Sequence, residues 1–273
     1  TSLPPAVRAG AAPPRSPEEA RLRASPGFRL WASWPTRLAI AHQVAAAVAF
    51  MHAQHVLHRD LTSYNILVTD RMDAKVSDFN LSRALHGGEA AVLPASGAIN
   101  SPEWSAPERL AGQAYGSPSD VYSFGILLYE LATLRVPWAD GCVEMEGGDG
   151  SGGSGRGTGG ACAPSASSLL SPPPLATGAP SLTGPGAGAG PGPFRDTTYF
   201  VVSSVPRGAR PALPDAQDAT SPPLPELPDL YALIRACWRG NPAARPTMQA
   251  VCERLEGISE AVKARLRAER GQG

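Results

Sequence analysis

The chain has 273 residues, of which 42% are hydrophobic and 18% charged, and its 24 basic and 24 acidic side chains leave no formal net charge. That balance argues against a general nucleic-acid binder or a polybasic membrane anchor, and no uninterrupted apolar run approaches the ~20 residues that a spanning helix needs. The apolar content suffices for one sizeable core, but 29 Gly and 29 Pro are too many for uniform packing, so part of the chain is expected to lie outside it.

Residues 1–33 read as a disordered lead-in, Pro/Ala-rich at first, with a short helix over 16–24 where Glu18 and Glu19 fall in the first turn. From Trp34 to Ala53 the pattern predicts a helix. Pro35 suits its first turn, and Trp34, Leu38, Ala41, Val44, Ala45, Val48 and Met51 recur at helical spacing. Residues 66–68 and 74–76 predict two short strands, joined as a hairpin by the intervening "TDRMD". The stretch 120–133, "DVYSFGILLYELAT", is apolar almost all round and predicts a buried helix, with Ser117 or Ser119 as its cap.

Composition then changes abruptly. Residues 141–195 hold 16 of the 29 glycines, with many Pro and Ser, and are expected to form a disordered insertion, because so little apolar surface cannot offset chain entropy. A fold can carry it, since closure entropy rises only ~0.6 kcal/mol per doubling of loop length. Order is expected to resume near Arg195, with helices over 228–238 and 247–269; residues 259–273 read as a solvated tail. Cys142, Cys162, Cys237 and Cys252 form no CxxC pair, which predicts a reduced, cytoplasmic setting rather than a disulfide framework. The absence of an initial Met and of a signal-peptide pattern suggests a fragment, and a membrane-anchored full-length form remains compatible with it.

The chemistry concentrates in "HVLHRDLTSYNIL", residues 55–67. Phosphoryl transfer needs a carboxylate to orient the attacking hydroxyl and oxygen ligands for Mg²⁺. Asp60 suits the first task; Asn65, five residues on, and Asp78, thirteen beyond that, suit the second. His52, His55 and His58 also recur every third residue, but packing explains them better than a metal cluster. "GRGTGG" at 155–160 matches a phosphate-loop pattern yet follows no strand and reads as an accident of composition.

In this order of motifs the chain resembles the protein kinase family, specifically the carboxy-terminal lobe of its tyrosine-kinase-like branch. "HRDLTSYN" resembles the catalytic loop, "KVSDFNLSR" the metal-binding motif that opens the activation segment, and "NSPEWSAPERL" the stretch that closes it. "SDVYSFGILLYELATLRVPW" is similar to the central buried helix, and "ACWRGNPAARPTM" to a late turn. The resemblance covers roughly 34–140 and 196–258. It implies an α+β protein-kinase-like fold, C-lobe only, mainly helical with a small β-hairpin and a long disordered insertion.

The implied function is transfer of the ATP γ-phosphoryl group to Ser/Thr hydroxyls of a protein substrate, with ATP and Mg²⁺ as cofactors. Asp60 would be the catalytic base, and Asn65 and Asp78 would hold Mg²⁺. Arg59 would pair with a phosphate in the activation segment, and Leu67 would face the adenine. His58 and Phe79 would stack in the regulatory spine, Asp120 would accept N–H bonds from the catalytic loop, and Glu108 would pair with Arg245. Ser101, where the branch has Thr, favours Ser/Thr substrates; Ser82, Ser96 and Ser101 are candidate phosphosites, though plain solvated serine is the simpler reading.

The departures define an alternative. The family's Lys two residues after the catalytic Asp is Thr62 here, Tyr64 supplies no Arg nearby, and Asn80 replaces Gly. The chain's two lysines, Lys75 and Lys263, both follow the catalytic loop, so the family's strand Lys, and the N-lobe that carries it, are expected to be missing. The alternative is a pseudokinase-like interaction module. On either reading the 273-residue chain by itself should bind Mg·ATP only weakly; calorimetric titration giving a micromolar Kd would refute this.

Overall fold

The computed structural model describes residues 32–85, 99–139, 141, 143–146, 197–214 and 224–271. The segment 16–24, Ser96 and most of 141–195 lie outside them.

Helix α1 spans Trp34–Ala53, with proline in its first turn. Trp34, Leu38, Ile40, Ala41, Val44, Ala45 and Val48 are all buried. So is Arg37, whose guanidinium lies 3.6 Å from the Trp34 ring centroid. After α1 come β1 (Val56–Leu57), β2 (Ile66–Val68), β3 (Ala74–Val76) and β4 (Arg83–Ala84). β2 and β3 form the expected antiparallel hairpin, pairing Ile66 with Val76 and Val68 with Ala74. β1 pairs with β4. The Gln43 side chain on α1 accepts the Ala74 N–H, which ties the hairpin to the helix.

Helix α2 (Pro107–Leu110) is a single turn that leads to α3 (Ser117–Thr133). From Ser119 to Thr133 every residue of α3 is buried. The helix begins with Gly116 at the cap and a proline in the first turn rather than with a serine side-chain cap; Ser119 Oγ instead donates to the Gly116 carbonyl at 2.8 Å. At the other end Arg37 donates to the Leu131 and Ala132 carbonyls at 3.2 Å. A buried cation from α1 thus satisfies carbonyls that a helix terminus leaves unpaired. Burial draws the Arg37 pKa down to about 9, with the nearby Tyr231 acting the other way.

Strand β5 (Val143–Met145) corrects the expected start of the insertion. These residues pair antiparallel with β6 (Ala209–Pro211), Val143 opposite Pro211 and Met145 opposite Ala209. Glu146 then accepts from Arg210 Nη2 at 2.6 Å and from the Gly240 N–H at 2.7 Å. Alternation of Val143 and Met145 with acidic Glu144 and Glu146 gives this short segment partners that its glycine-rich surroundings conceal. Helix α4 (Thr197–Ser204) starts close to where order was expected to resume. Helices α5 (Leu227–Cys237) and α6 (Met248–Gly271) complete the described chain.

The tail also differs from expectation. Helix α6 continues to Gly271, Ser259 and Val262 are buried, and Arg265 pairs with Glu226 at 3.4 Å. Apolar residues at 255, 258 and 262 extend the packed stripe of α6 against α1, so the first part of 259–273 belongs to the core.

Helix α3 packs against α1 and α5, and α6 closes over α1 and α5. The contact of α3 with α5 is very close. A Cβ on Gly125 would lie 2.9 Å from Cys237 Cβ and 3.3 Å from the Trp238 backbone nitrogen. Gly125→Ala is therefore expected to lower stability by ~1–3 kcal/mol through overpacking; a chemical-denaturation midpoint equal to wild type would show that the two helices part easily.

Candidate active site

The site is built on Asp120, in the first turn of α3 and 1% exposed. Its Oδ2 accepts the His58 N–H at 2.9 Å and its Oδ1 the Arg59 N–H at 2.9 Å. His52 Nε2, from the end of α1, donates to Oδ2 at 3.0 Å. Burial alone would push the Asp120 pKa up, but the His52 hydrogen bond and charge and the two backbone N–H groups outweigh it and hold the carboxyl below its ordinary value.

Two consecutive amides are thereby fixed just ahead of Asp60. The His58 ring, fully buried, accepts the Asp60 N–H on Nδ1 at 3.3 Å and meets the Ser77 carbonyl through Nε2 at 3.1 Å. A proton on Nε2 satisfies both contacts. The same ring lies 5.5 Å from that of Phe79, tilted by 56°. Asn65 Nδ2 donates to the Asp60 carbonyl at 2.7 Å and to Asp60 Oδ2 at 3.3 Å. The Ser77 N–H and hydroxyl both donate to the Asn65 carbonyl, at 2.9 and 3.0 Å. Asp78 is thus carried on a backbone tied to the Asn65 loop. Asp78 itself is exposed, at φ 63°, and accepts the Asn80 N–H at 3.4 Å.

Asp60 and Asn65 border an open cavity of about 480 Å³, walled by Tyr64, Ser101, Trp104 and Pro137, with Thr197 from the start of α4 at its edge. Thr62 lines it too, but is 2% exposed. Beneath, Glu130 of α3 accepts from Ser63 Oγ and Trp104 Nε1, both at 2.9 Å, and so fastens the loop carrying Asp60 and Asn65 to the turn after Ser101. Leu67 and Phe79 present apolar surface to solvent, at 39% and 52% exposure.

Asn65 and Asp78 are hard oxygen donors suited to Mg²⁺, which keeps waters and substrate phosphates in its shell and asks for few protein ligands. The bonds of Asn65 Nδ2 to Asp60 leave its Oδ1 out of that brace. Among the described residues, no three His, Cys, Asp or Glu side chains gather as a metal cluster, the 52/55/58 histidines included. Cys237 and Cys252 are free and buried, and burial pushes the Cys237 thiol up to about 12.

Glu108 and Arg245, 137 positions apart, meet in a two-bond fork, Nη1 to Oε1 at 2.7 Å and Nη2 to Oε2 at 2.8 Å. Their side chains are 6% and 0% exposed. Arg245 also donates to the Arg239, Pro118 and Gly240 carbonyls, so the guanidinium is well supplied with acceptors.

Sequence reasoning missed three side chains. Glu130 carried a signal, an acid inside an otherwise apolar helix. Tyr115 and Arg109 carried none, because their contacts with Arg59 join positions 56 and 50 apart in the chain.

The sequence profile of the family described as protein tyrosine and serine/threonine kinase matches residues 29–143. The serine/threonine-protein kinase CTR1 of Arabidopsis thaliana is 42% identical over 106 residues, 38% of this chain and 12% of that protein. The cyclic GMP-binding protein C of Dictyostelium discoideum is 44% identical over 113 residues, 39% of this chain and 4% of that protein. The tyrosine-protein kinase Srms of Mus musculus is 29% identical over 227 residues, 83% of this chain and 33% of that protein. The matched part of the chain is thus similar to the protein kinase family, and the mainly helical fold with few strands is consistent with that family. The chain spans a third or less of these relatives, and among its described residues no helix is long and apolar enough to cross a membrane.

Removing either partner of the buried fork strands a charge and is expected to cost ~3–5 kcal/mol. Glu108→Ala and Arg245→Ala should each depress Tm sharply and the double variant should lose less than the sum; small, additive shifts in a double-mutant cycle would show that the pair contributes little.

Proposed function

We propose that this chain carries the catalytic loop of a protein kinase that transfers the γ-phosphoryl group of ATP to Ser or Thr hydroxyls of protein substrates. The observation that carries the reading is the Asn65–Asp60 brace beside the open cavity. It sets a carboxylate where a substrate hydroxyl can approach and fixes it from two directions, by Asn65 and by the Asp120-anchored backbone.

Bound Mg·ATP would supply the phosphoryl group and the cation that neutralises its developing charge. Asn65 and Asp78 would hold that cation. Asp60 would orient the incoming hydroxyl and accept its proton at a carboxylate oxygen. Leu67 would offer an apolar seat for the base, and Phe79 with His58 would link the metal-binding turn to the loop. Ser101 in the cavity wall, and the serine/threonine-kinase name of the CTR1 relative, support hydroxyl rather than phenol acceptors. Thr62 provides no cation at the cavity, so charge neutralisation there falls to the metal. The two buried free thiols suit a reduced, cytoplasmic setting.

In the full-length protein, Asp60→Asn is expected to abolish phosphoryl transfer while leaving nucleotide affinity nearly unchanged, because a positioned base lowers the barrier more than it binds the ground state. Turnover of a Ser/Thr peptide at the wild-type rate by the variant would move the reading to a non-catalytic module.

A further inference from the structure

Arg59 immediately precedes Asp60 and sits at φ 71°, in the left-handed region that a β-carbon disfavours. A non-glycine residue stays there only where its surroundings over-determine it. Four contacts do so. The Arg59 N–H donates to Asp120 Oδ1 at 2.9 Å. The Arg59 carbonyl accepts from Arg109 Nη1 at 2.6 Å. Arg59 Nε donates to the Tyr115 hydroxyl at 2.8 Å. Finally, both guanidinium groups lie over the Tyr115 ring, Arg59 at 5.6 Å and Arg109 at 5.1 Å from its centroid, and that ring is 5% exposed.

The geometry assigns each contact a task. The Arg59 carbonyl belongs to the peptide plane that joins it to Asp60. Arg109 therefore grips the plane whose rotation would swing the Asp60 carboxylate. Asp120 grips the preceding plane through the Arg59 N–H. Tyr115 holds the Arg59 side chain with a hydroxyl on a ring that burial has already immobilised. All of these groups lie within the described residues.

We propose that Tyr115 and Arg109 are positioning residues that lock Arg59, and through it Asp60, in working geometry without a phosphate on the activation segment. For its catalytic consequence this rests on the kinase reading above; the lock itself is a property of the fold. The resemblance gave Arg59 a phosphate partner. In this chain a neutral hydroxyl occupies its Nε, and a second arginine secures its carbonyl.

Tyr115→Phe removes one oxygen and keeps the ring, its burial and both stacked guanidinium groups, so it tests the lock without dismantling the fold. In the full-length protein, wild type treated with phosphatase should keep its kcat within about twofold. Tyr115→Phe should lower kcat at least tenfold, since small misplacements of a reacting group cost ~100-fold. Its nucleotide KM and Tm should stay at wild-type values, and amide hydrogen exchange at Arg59 and Asp60 should quicken. Arg109→Ala should act in the same direction, and Arg109→Lys, which keeps a donor, should recover part of the rate. A Tyr115→Phe variant with wild-type kcat and exchange would overturn the proposal, as would a phosphatase-treated wild type that loses more than tenfold. Should the wild type transfer no phosphoryl group at all, the kinase reading falls while exchange at Arg59 and Asp60 still decides the lock: quickening in Tyr115→Phe upholds it, and unchanged exchange overturns it.

Discussion

Burying an entire helix imposes a condition on every polar group it carries. Helix α3 has almost no contact with water from Ser119 to Thr133, so its two carboxylates need partners or must lose their charge. Asp120 finds them in the backbone ahead of Asp60; Glu130 finds them in Ser63 and Trp104. The arrangement of the cavity follows from that need. The loop at 58–65 and the turn after Ser101 are held where two buried acids can be satisfied, and both acids stand on one rigid rod. A third anchor comes from below, where the Glu108–Arg245 fork ties α2 to the turn before α6.

Arginine serves this architecture in a way that lysine could not. Arg37, Arg210 and Arg245 are each buried. Arg37 reaches from α1 to the Leu131 and Ala132 carbonyls of α3, while Arg210 and Arg245 spread several donors over carbonyls from separate elements, Trp238 and Val205 for Arg210 and Arg239 and Pro118 for Arg245. A planar fork can satisfy several acceptors at fixed angles, whereas an ammonium is a compact, strongly hydrated charge. The Tyr122 ring lies 5.2 Å from both Arg210 and Arg245, and burial raises its hydroxyl pKa to about 12 despite the two cations. With only two lysines in 273 residues, the interior polar framework rests on guanidinium groups.

Legibility followed the range of the interaction. The limits of α1, the hairpin and the largely apolar α3 were readable because periodicity and burial are local signals. Asp60, Asn65 and Asp78 stood out since acids and an amide at that spacing have no packing rationale. The strand at 143–145 was hidden, because its partner lies more than sixty residues on and glycine dominates the sequence that follows it. The buried part of the tail was misjudged for a related reason. Charges crowd residues 260–270, and the single apolar position per turn that docks on α1 is easily lost among them. Contacts such as Arg59 with Tyr115 had no local signature at all.

The β5–β6 ladder has a consequence for how this chain can change. Met145 and Ala209 are pinned side by side, Glu146 is bonded to the Gly208 carbonyl, and α4 is seated against the turn at 102–104. What lies between Glu146 and Thr197 thus begins and ends at positions set by the rest of the fold. For a flexible connection between two such fixed ends, added length costs only a slowly growing entropy of closure. The place behaves as a port in a finished wall: a foreign domain, a reporter or a tether spliced there would leave the strands and the cavity beside Asp60 as they are.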